Sequence, residues 1–166
     1  MNIDVSELKG KKNSRTNINV VIEKQSFFDG YETVEFSKPI NFCGVINLVE
    51  DIFELNGSAT SEILLTCSRC LKKFPYVVVM DIEEKLSTSA SNEDIEVISI
   101  KNDKIDIYQI IESNLVMQLP IQRLCSESCK GLCQQCGTDL NHGECSCDNL
   151  EVDPRLAKLK DMFSKA

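Results

Sequence analysis

The chain has 166 residues, 42% hydrophobic and 27% charged, the composition of a soluble globular protein with one ordinary domain or a modest domain plus a small appendage. Its formal net charge of −8 excludes global attraction to nucleic acid or an anionic membrane, so any RNA contact has to come from a local basic patch. Residues 1–15 lack an apolar stretch behind a basic start, and the longest apolar run, 76–80, is too short to cross a bilayer; both predict a cytoplasmic chain without an export signal.

In chain order, Ile3, Val5 and Leu8 form a short apolar start, followed by a basic stretch with Lys9, Lys11, Lys12 and Arg15. From Ile18 onward INVVIE, VEF, INFCGVINLV and IFELNGSATSEILLTC alternate apolar and polar residues and are rich in β-branched side chains, which predicts strands. Ser26, Asp29-Gly30, Ser37-Lys38-Pro39 and Asn56-Gly57 read as breaks between them. Asn56-Gly57 fits a type I′ turn, and equally a bulge or bend within one long strand. FPYVVVMDIEEKL is strand-like, so the CSRC motif at 67–70 falls in a turn between two strands. Residues 87–94 (STSASNED) read as a flexible loop, and 95–100 with 104–107 as a short hairpin.

The period then changes. Ile107, Ile110, Ile111, Leu115 and Leu119 recur at helical spacing behind Asp106 as N-cap, and Pro120 closes the segment. This predicts an amphipathic helix of about a dozen residues packed on the sheet, with Val116 and Met117 filling core gaps. Residues 121–148 are too poor in large apolar side chains to fold on burial alone, and Asp153-Pro154 opens a short terminal helix. The expected fold is α+β: a mostly antiparallel sheet curled toward a barrel with one packing helix (1–120), and a zinc-stapled cysteine-rich module (121–166).

Nine cysteines dominate the chemistry. In a reducing cytosol lasting disulfides are disfavoured, and an odd number cannot pair completely within one chain, so metal ligation is the stronger reading. Eight fall into close doublets: Cys67/Cys70, Cys125/Cys129, Cys133/Cys136 and Cys145/Cys147. Structural zinc takes four ligands, so two doublets make one site and the chain provides for two ions. CxxCG at Cys133–Cys136 with the nearby CxC suits one site, which leaves CSRC to join Cys125 and Cys129. Spacing also permits Cys125, Cys129, Cys133 and Cys136 on one ion and CSRC with Cys145 and Cys147 on the other. Iron–sulfur ligation and a redox-active CSRC are the remaining chemistries. His142 reads as a solvent-facing turn residue and Cys43 as a buried small apolar one.

With one histidine, located in the cysteine loop, and no glycine-rich phosphate loop, the sequence has no catalytic constellation and predicts no small-molecule substrate. Full cysteine coordination leaves no open metal position for water, so the expected role of zinc is structural. Arg69, Lys72, Lys73, Arg123 and Lys130 lie by sequence near the two ends of the CSRC-containing site. Sharing one surface, they would give an acidic protein a single positive face for phosphate contact. Taken alone, Arg69, Lys72 and Lys73, like the N-terminal basic stretch, read as ordinary solvated charge.

Three segments, TCSRCLKKF, LPIQRLCSESCKGLCQQCGTDLN with its trailing CSC, and DPRLAKLKDMF, together resemble the YceD family; MNIDVSEL and VEFSKPINFCGVI extend the likeness over nearly the whole chain. CKGLCxxCG followed by LN is its most specific element. The resemblance implies a bacterial, cytoplasmic, non-enzymatic factor in ribosome biogenesis that acts in 23S rRNA synthesis, processing or accumulation. Its partner would be large-subunit rRNA, a pre-ribosomal particle or a ribosomal protein, with no membrane involved. The family supplies no catalytic residues to transfer. A protein–protein adaptor without RNA contact, favoured by the acidic charge, and a thiol switch at Cys67/Cys70 are the rival readings.

Overall fold

A computed structural model describes residues 2–6, 14–49, 52–88, 97–100 and 103–147. In chain order these form β1 (Asn2–Asp4), β2 (Arg15–Ile22), β3 (Ser26–Phe28), β4 (Thr33–Val49), β5 (Ile52–Thr66), β6 (Lys73–Ser87), β7 (Val97–Ser99), β8 (Lys104–Asp106) and α1 (Ile107–Gln118). The three long strands β4, β5 and β6 are an antiparallel meander, flanked by β2 and the short β3 on β4 and by β7 on β6.

Strict alternation decides which face of this meander is buried. Even positions point inward on β4 (Val34, Ile40, Phe42, Ile46) and on β6 (Val78, Met80, Ile82, Leu86). Odd positions do so on β5 (Phe53, Leu55, Ala59, Ile63, Leu65). The same parity corrects one expectation: Phe42 is fully buried, so Cys43 is on the outer face, where its thiol reaches Asn19 Oδ1 at 3.5 Å. Helix α1 covers the inner face with Ile107, Ile110, Ile111 and Leu115. Asp106 caps it by accepting from the N–H groups of Tyr108 and Gln109, and Asn114 Nδ2 ties it to Glu84 on β6 at 2.9 Å. Met117 lies about 200° round the helix from Leu115 and is 76% exposed, so it is not core; Val116 packs against the core edge.

The sheet does not close into a barrel. Its order, β2-β4-β5-β6-β7, leaves β2 and β7 as edges. Ser37-Lys38-Pro39 does not divide two strands. It lies inside β4, where register shifts between Phe36 and Asn41 absorb a proline that has no N–H for the ladder. Asn56-Gly57 is likewise no hairpin turn, since β5 runs straight through it. Gly57 faces Gly44 across the ladder, and a Cβ on Gly57 would come within 2.8 Å of the Phe42 ring and 2.7 Å of the Gly44 Cα. These two glycines make room for the Phe42 ring above the strands.

Among the described residues, 97–100 and 104–107 do not pair with each other. β7 adds to β6 in parallel, continued by the Ile100 N–H donating to the Ser87 carbonyl, whereas β8 pairs antiparallel with β1. Buried Ile105 is the physical reason: it faces Ile3 and brings the N-terminal strand under the helix. The loop expected at 87–94 lies mostly outside the described residues, as does the helix expected from Asp153.

Gly57→Val is expected to lower the unfolding free energy by about 1–3 kcal/mol through overpacking on Phe42. Met117→Ser is expected to stay within about 0.5 kcal/mol of the parent. Denaturant melts of the two variants check both values.

Candidate metal centre

Two turns of the same construction carry half of the clustered cysteines. At the β5–β6 connection the Cys67 N–H donates to the Lys72 carbonyl (2.9 Å) and the Leu71 N–H to the Cys67 carbonyl (2.9 Å). At the second, the Cys133 N–H donates to the Thr138 carbonyl (2.8 Å) and the Gly137 N–H to the Cys133 carbonyl (2.9 Å). The residue after the second cysteine is left-handed in both, with φ 59° at Leu71 and 75° at Gly137. That conformation turns the backbone N–H groups toward the sulfurs. Glycine adopts it freely, and leucine does so at a cost of about 1–2 kcal/mol. CSRCL is thus a CxxCG-type turn whose signature glycine is missing.

Each turn meets one further doublet. The Sγ atoms of Cys67, Cys70, Cys125 and Cys129 all lie within 4.8 Å of one another, and so do those of Cys133, Cys136, Cys145 and Cys147. Of the two pairings that spacing allowed, this is the one that joins CSRC to Cys125 and Cys129. Cys67 and Cys129 sulfurs are 3.9 Å apart and those of Cys70 and Cys125 are 3.6 Å apart, too far for disulfides. A tetrahedron with metal–sulfur bonds of about 2.3 Å has sulfur–sulfur edges of about 3.8 Å, so the donor set fits a four-coordinate ion.

The thiols behave as a set of mutual donors and acceptors. Burial pushes the Cys67 thiol up, but backbone N–H groups of Cys125, Cys70 and Arg69 outweigh it and hold Cys67 at about 6. Cys125, whose proton is held by the Cys70 sulfur, is pushed up to about 12. In the second group the Thr138 hydroxyl and N–H bring Cys136 to about 6, while Cys147, hydrogen-bonded to the Cys136 sulfur, rises to about 12. Four crowded thiols do not ionise together without a cation. A divalent ion bound there would replace the shared protons and let all four act as thiolates.

Around the first group, a second layer joins the cysteine-rich segment to the sheet. Arg69 Nη1 donates to the Cys129 carbonyl (2.8 Å), the Leu132 N–H to the Arg69 carbonyl (3.0 Å) and the Ser68 N–H to the Arg123 carbonyl (2.7 Å). Gly131, at φ 78°, lies against this strand end: a Cβ there would sit 2.9 Å from the Arg69 carbonyl oxygen. Asn141 accepts the Lys130 N–H through Oδ1 (2.8 Å) and directs Nδ2 at the Cys129 sulfur (3.5 Å). Phe74, Leu124 and Leu132 pack over the sulfurs.

The predicted basic residues are near one another, but most are engaged within the chain. Arg123 pairs with Asp29 and Glu32 in the β3–β4 turn; its side chain is 16% exposed and that of Asp29 only 1%. Burial pushes the Asp29 carboxyl up, but the Glu32 N–H and the Arg123 guanidinium outweigh it and hold the group below the usual carboxylate range. Lys72 pairs with Asp139 (2.7 Å) and Lys73 with Glu35 (2.9 Å), both at the surface. Arg69 and Lys130 are exposed. His142 is exposed and belongs to neither sulfur group. Sequence reasoning missed Asp29, Glu32, Asp139 and Asn141; the only sequence signals were the Asp29-Gly30 break and the LN that follows CxxCG.

The family described as "Large ribosomal RNA subunit accumulation protein YceD" matches residues 55–163, a span that contains both sulfur groups. The chain is 30% identical over 158 residues to the uncharacterized protein YlbN of Bacillus subtilis (strain 168), covering 86% of this chain and 91% of that one. It is 28% identical over 136 residues to an uncharacterized protein of Mycobacterium leprae (strain TN), covering 79% of this chain and 62% of the relative. A shorter match, 36% identical over 59 residues, covers 36% of this chain and 18% of the Arabidopsis thaliana "Large ribosomal RNA subunit accumulation protein YCED homolog 1, chloroplastic". No solved structure matches.

The left-handed glycines of the cysteine-rich segment, Gly131 and Gly137, are expected to resist a Cβ, but unequally. Gly137→Ala should cost about 1–2 kcal/mol of backbone strain alone, and Gly131→Ala more, because its Cβ also meets the Arg69 carbonyl. Arg123→Met should cost about 3–5 kcal/mol by leaving Asp29 buried without its partner, against less than about 1 kcal/mol for Lys73→Met. Thermal melts of the four variants rank these contacts.

Proposed function

The chain belongs to the YceD family, and on that footing we propose that it is a non-catalytic, zinc-stapled ribosome-biogenesis factor. In this reading it supports accumulation of large-subunit (23S) ribosomal RNA by binding that RNA, a precursor particle or a ribosomal protein. The observation that carries the reading is the family match over residues 55–163, which takes in both four-cysteine groups. Zinc is the metal we assign, because an all-thiolate tetrahedral donor set suits it. Bound there, zinc supplies cross-linking of chain segments; four thiolates leave no position for a reacting water.

Phosphate contact in this reading falls to Lys72, Lys73, Lys130 and Arg69. Lys72 and Lys73 have side chains 53% and 56% exposed, and surface pairs of this kind are worth about 0–1 kcal/mol, so a phosphate can displace their carboxylates. Arg123 serves as a structural cation. The internal pairing of Lys72, Lys73 and Arg123 also favours a second reading, a protein–protein adaptor without RNA contact. A thiol switch at Cys67/Cys70 is the third, and it is at odds with a sulfur group spaced for a metal.

Elemental analysis of protein purified under reducing conditions is expected to give two zinc per chain; none would overturn the zinc reading and favour the thiol switch. Cys133→Ser should leave one zinc and a lower melting temperature. Binding to large-subunit rRNA fragments should weaken steeply as salt rises, since released counterions carry the affinity. Flat or absent binding, with capture of ribosomal proteins intact, would establish the adaptor reading.

A further inference from the structure

The two sulfur groups are built alike at their turns but differently in their surroundings. In the first group Cys67, Cys70 and Cys129 are 0%, 4% and 3% exposed, packed under Phe74, Leu124 and Leu132, and Cys125 is its one exposed cysteine. In the other group only Cys133 is buried; Cys136 is exposed, and Cys145 and Cys147 are half-buried. The first group draws its ligands from two segments about sixty residues apart, held by the backbone and side-chain bonds of Arg69, Ser68, Leu132 and Arg123. The second draws all its ligands from residues 133–147, whose backbone bonds beyond regular elements stay within 131–143; the Lys72–Asp139 surface pair is a link from this stretch to the sheet.

Exchange of a metal between ligands needs an incoming donor to reach the ion while a resident one departs. Both steps are easy at an exposed thiolate on a short local loop. Both are obstructed where departure of one sulfur has to break packed, long-range contacts. We infer that the group at Cys133, Cys136, Cys145 and Cys147 is an exchangeable zinc site, whereas the group at Cys67, Cys70, Cys125 and Cys129 keeps its ion as a permanent staple. A competing thiolate or chelator bonds to the zinc as the Cys136–zinc bond breaks, and the freed cysteines take protons from solvent. Loss of this ion frees the thiols of Cys133, Cys136, Cys145 and Cys147 and leaves the joint between sheet and module closed, with Asn141 still against Lys130 and Cys129. A ribosome-assembly factor built this way responds to zinc supply at one end without unfolding at the other.

The inference rests on the zinc reading, so metal content of the full chain is measured first. Zero zinc per chain overturns the reading and the inference together; two zinc isolates the inference for test. The loaded chain is then mixed with the chromogenic chelator 4-(2-pyridylazo)resorcinol. Release is expected in two phases of one equivalent each, separated in rate by at least about tenfold, or about 1.4 kcal/mol. Cys136→Ser should carry one zinc, lack the fast phase and keep the slow one. Maleimide labelling read by mass spectrometry covers the case in which that variant misfolds. Cys43, exposed on the sheet, is the internal standard; Cys136, Cys145 and Cys147 should label with the fast phase, and Cys67, Cys70 and Cys129 with the slow. A single phase releasing both ions, or labelling of Cys67 ahead of Cys136, overturns the inference.

Discussion

Convergence of Cys67 and Cys70 with Cys125 and Cys129 is the constraint on which the rest of the molecule depends. The segment after α1 has few large apolar residues, so it cannot dock by burial as the helix does. It docks instead by contributing two thiols to a pocket that the β5–β6 turn half completes, with Leu124 and Leu132 covering the sulfurs. Gly131, Arg69 and Asn141 set how closely the two segments approach. Across that joint the chain continues into the second sulfur group, whose placement follows from the first. A division of the chain after residue 120 describes the sequence well, yet the first sulfur group draws on both sides of it.

Electrostatics reinforces the same joint. A chain of net charge −8 has an excess of carboxylates, and three of its basic groups near the cysteines are taken up by them. Arg123 satisfies Asp29 and Glu32, which ties the β3–β4 turn to the start of the cysteine-rich segment. Lys72 satisfies Asp139 and links the two turn-bearing segments. The buried pair is costly to break from one side, because removal of the cation leaves the Asp29 carboxylate buried with backbone N–H donors but no countercharge. The surface pairs are weak and exchangeable. The difference in burial separates a cation that holds the fold from cations open to an outside anion.

Much of the secondary structure was legible in the sequence because its causes are local. Alternation marked β4, β5 and β6, and the spacing of Ile107, Ile110, Ile111 and Leu115 behind Asp106 marked α1. Errors arose where a local signal was overruled by a partner strand. Asn56-Gly57 has turn chemistry, but Gly44 opposite it and the Phe42 ring require small residues inside a continuous strand. Pro39 reads as a strand end, but a bulge in β4 absorbs it. The 95–100 and 104–107 segments look like neighbours, yet β6 and β1 claim them separately.

For the site, the sequence by itself determined the candidate ligands, since eight cysteines in doublets restrict which thiols can gather into groups able to hold an ion. It also marked the two-residue alternation of the long strands, while the structure decided the inward parity of β4, with Phe42 in the core and Cys43 outside. Only the tertiary structure decided which doublets share a group, because loop closure costs grow slowly with length and spacing discriminates poorly between near and distant partners. It alone exposed CSRCL as a CxxCG-type turn with leucine in the left-handed position, a likeness of hydrogen bonding and not of residues. It alone showed that Arg123 faces inward, because the carboxylates that claim it lie about ninety residues away.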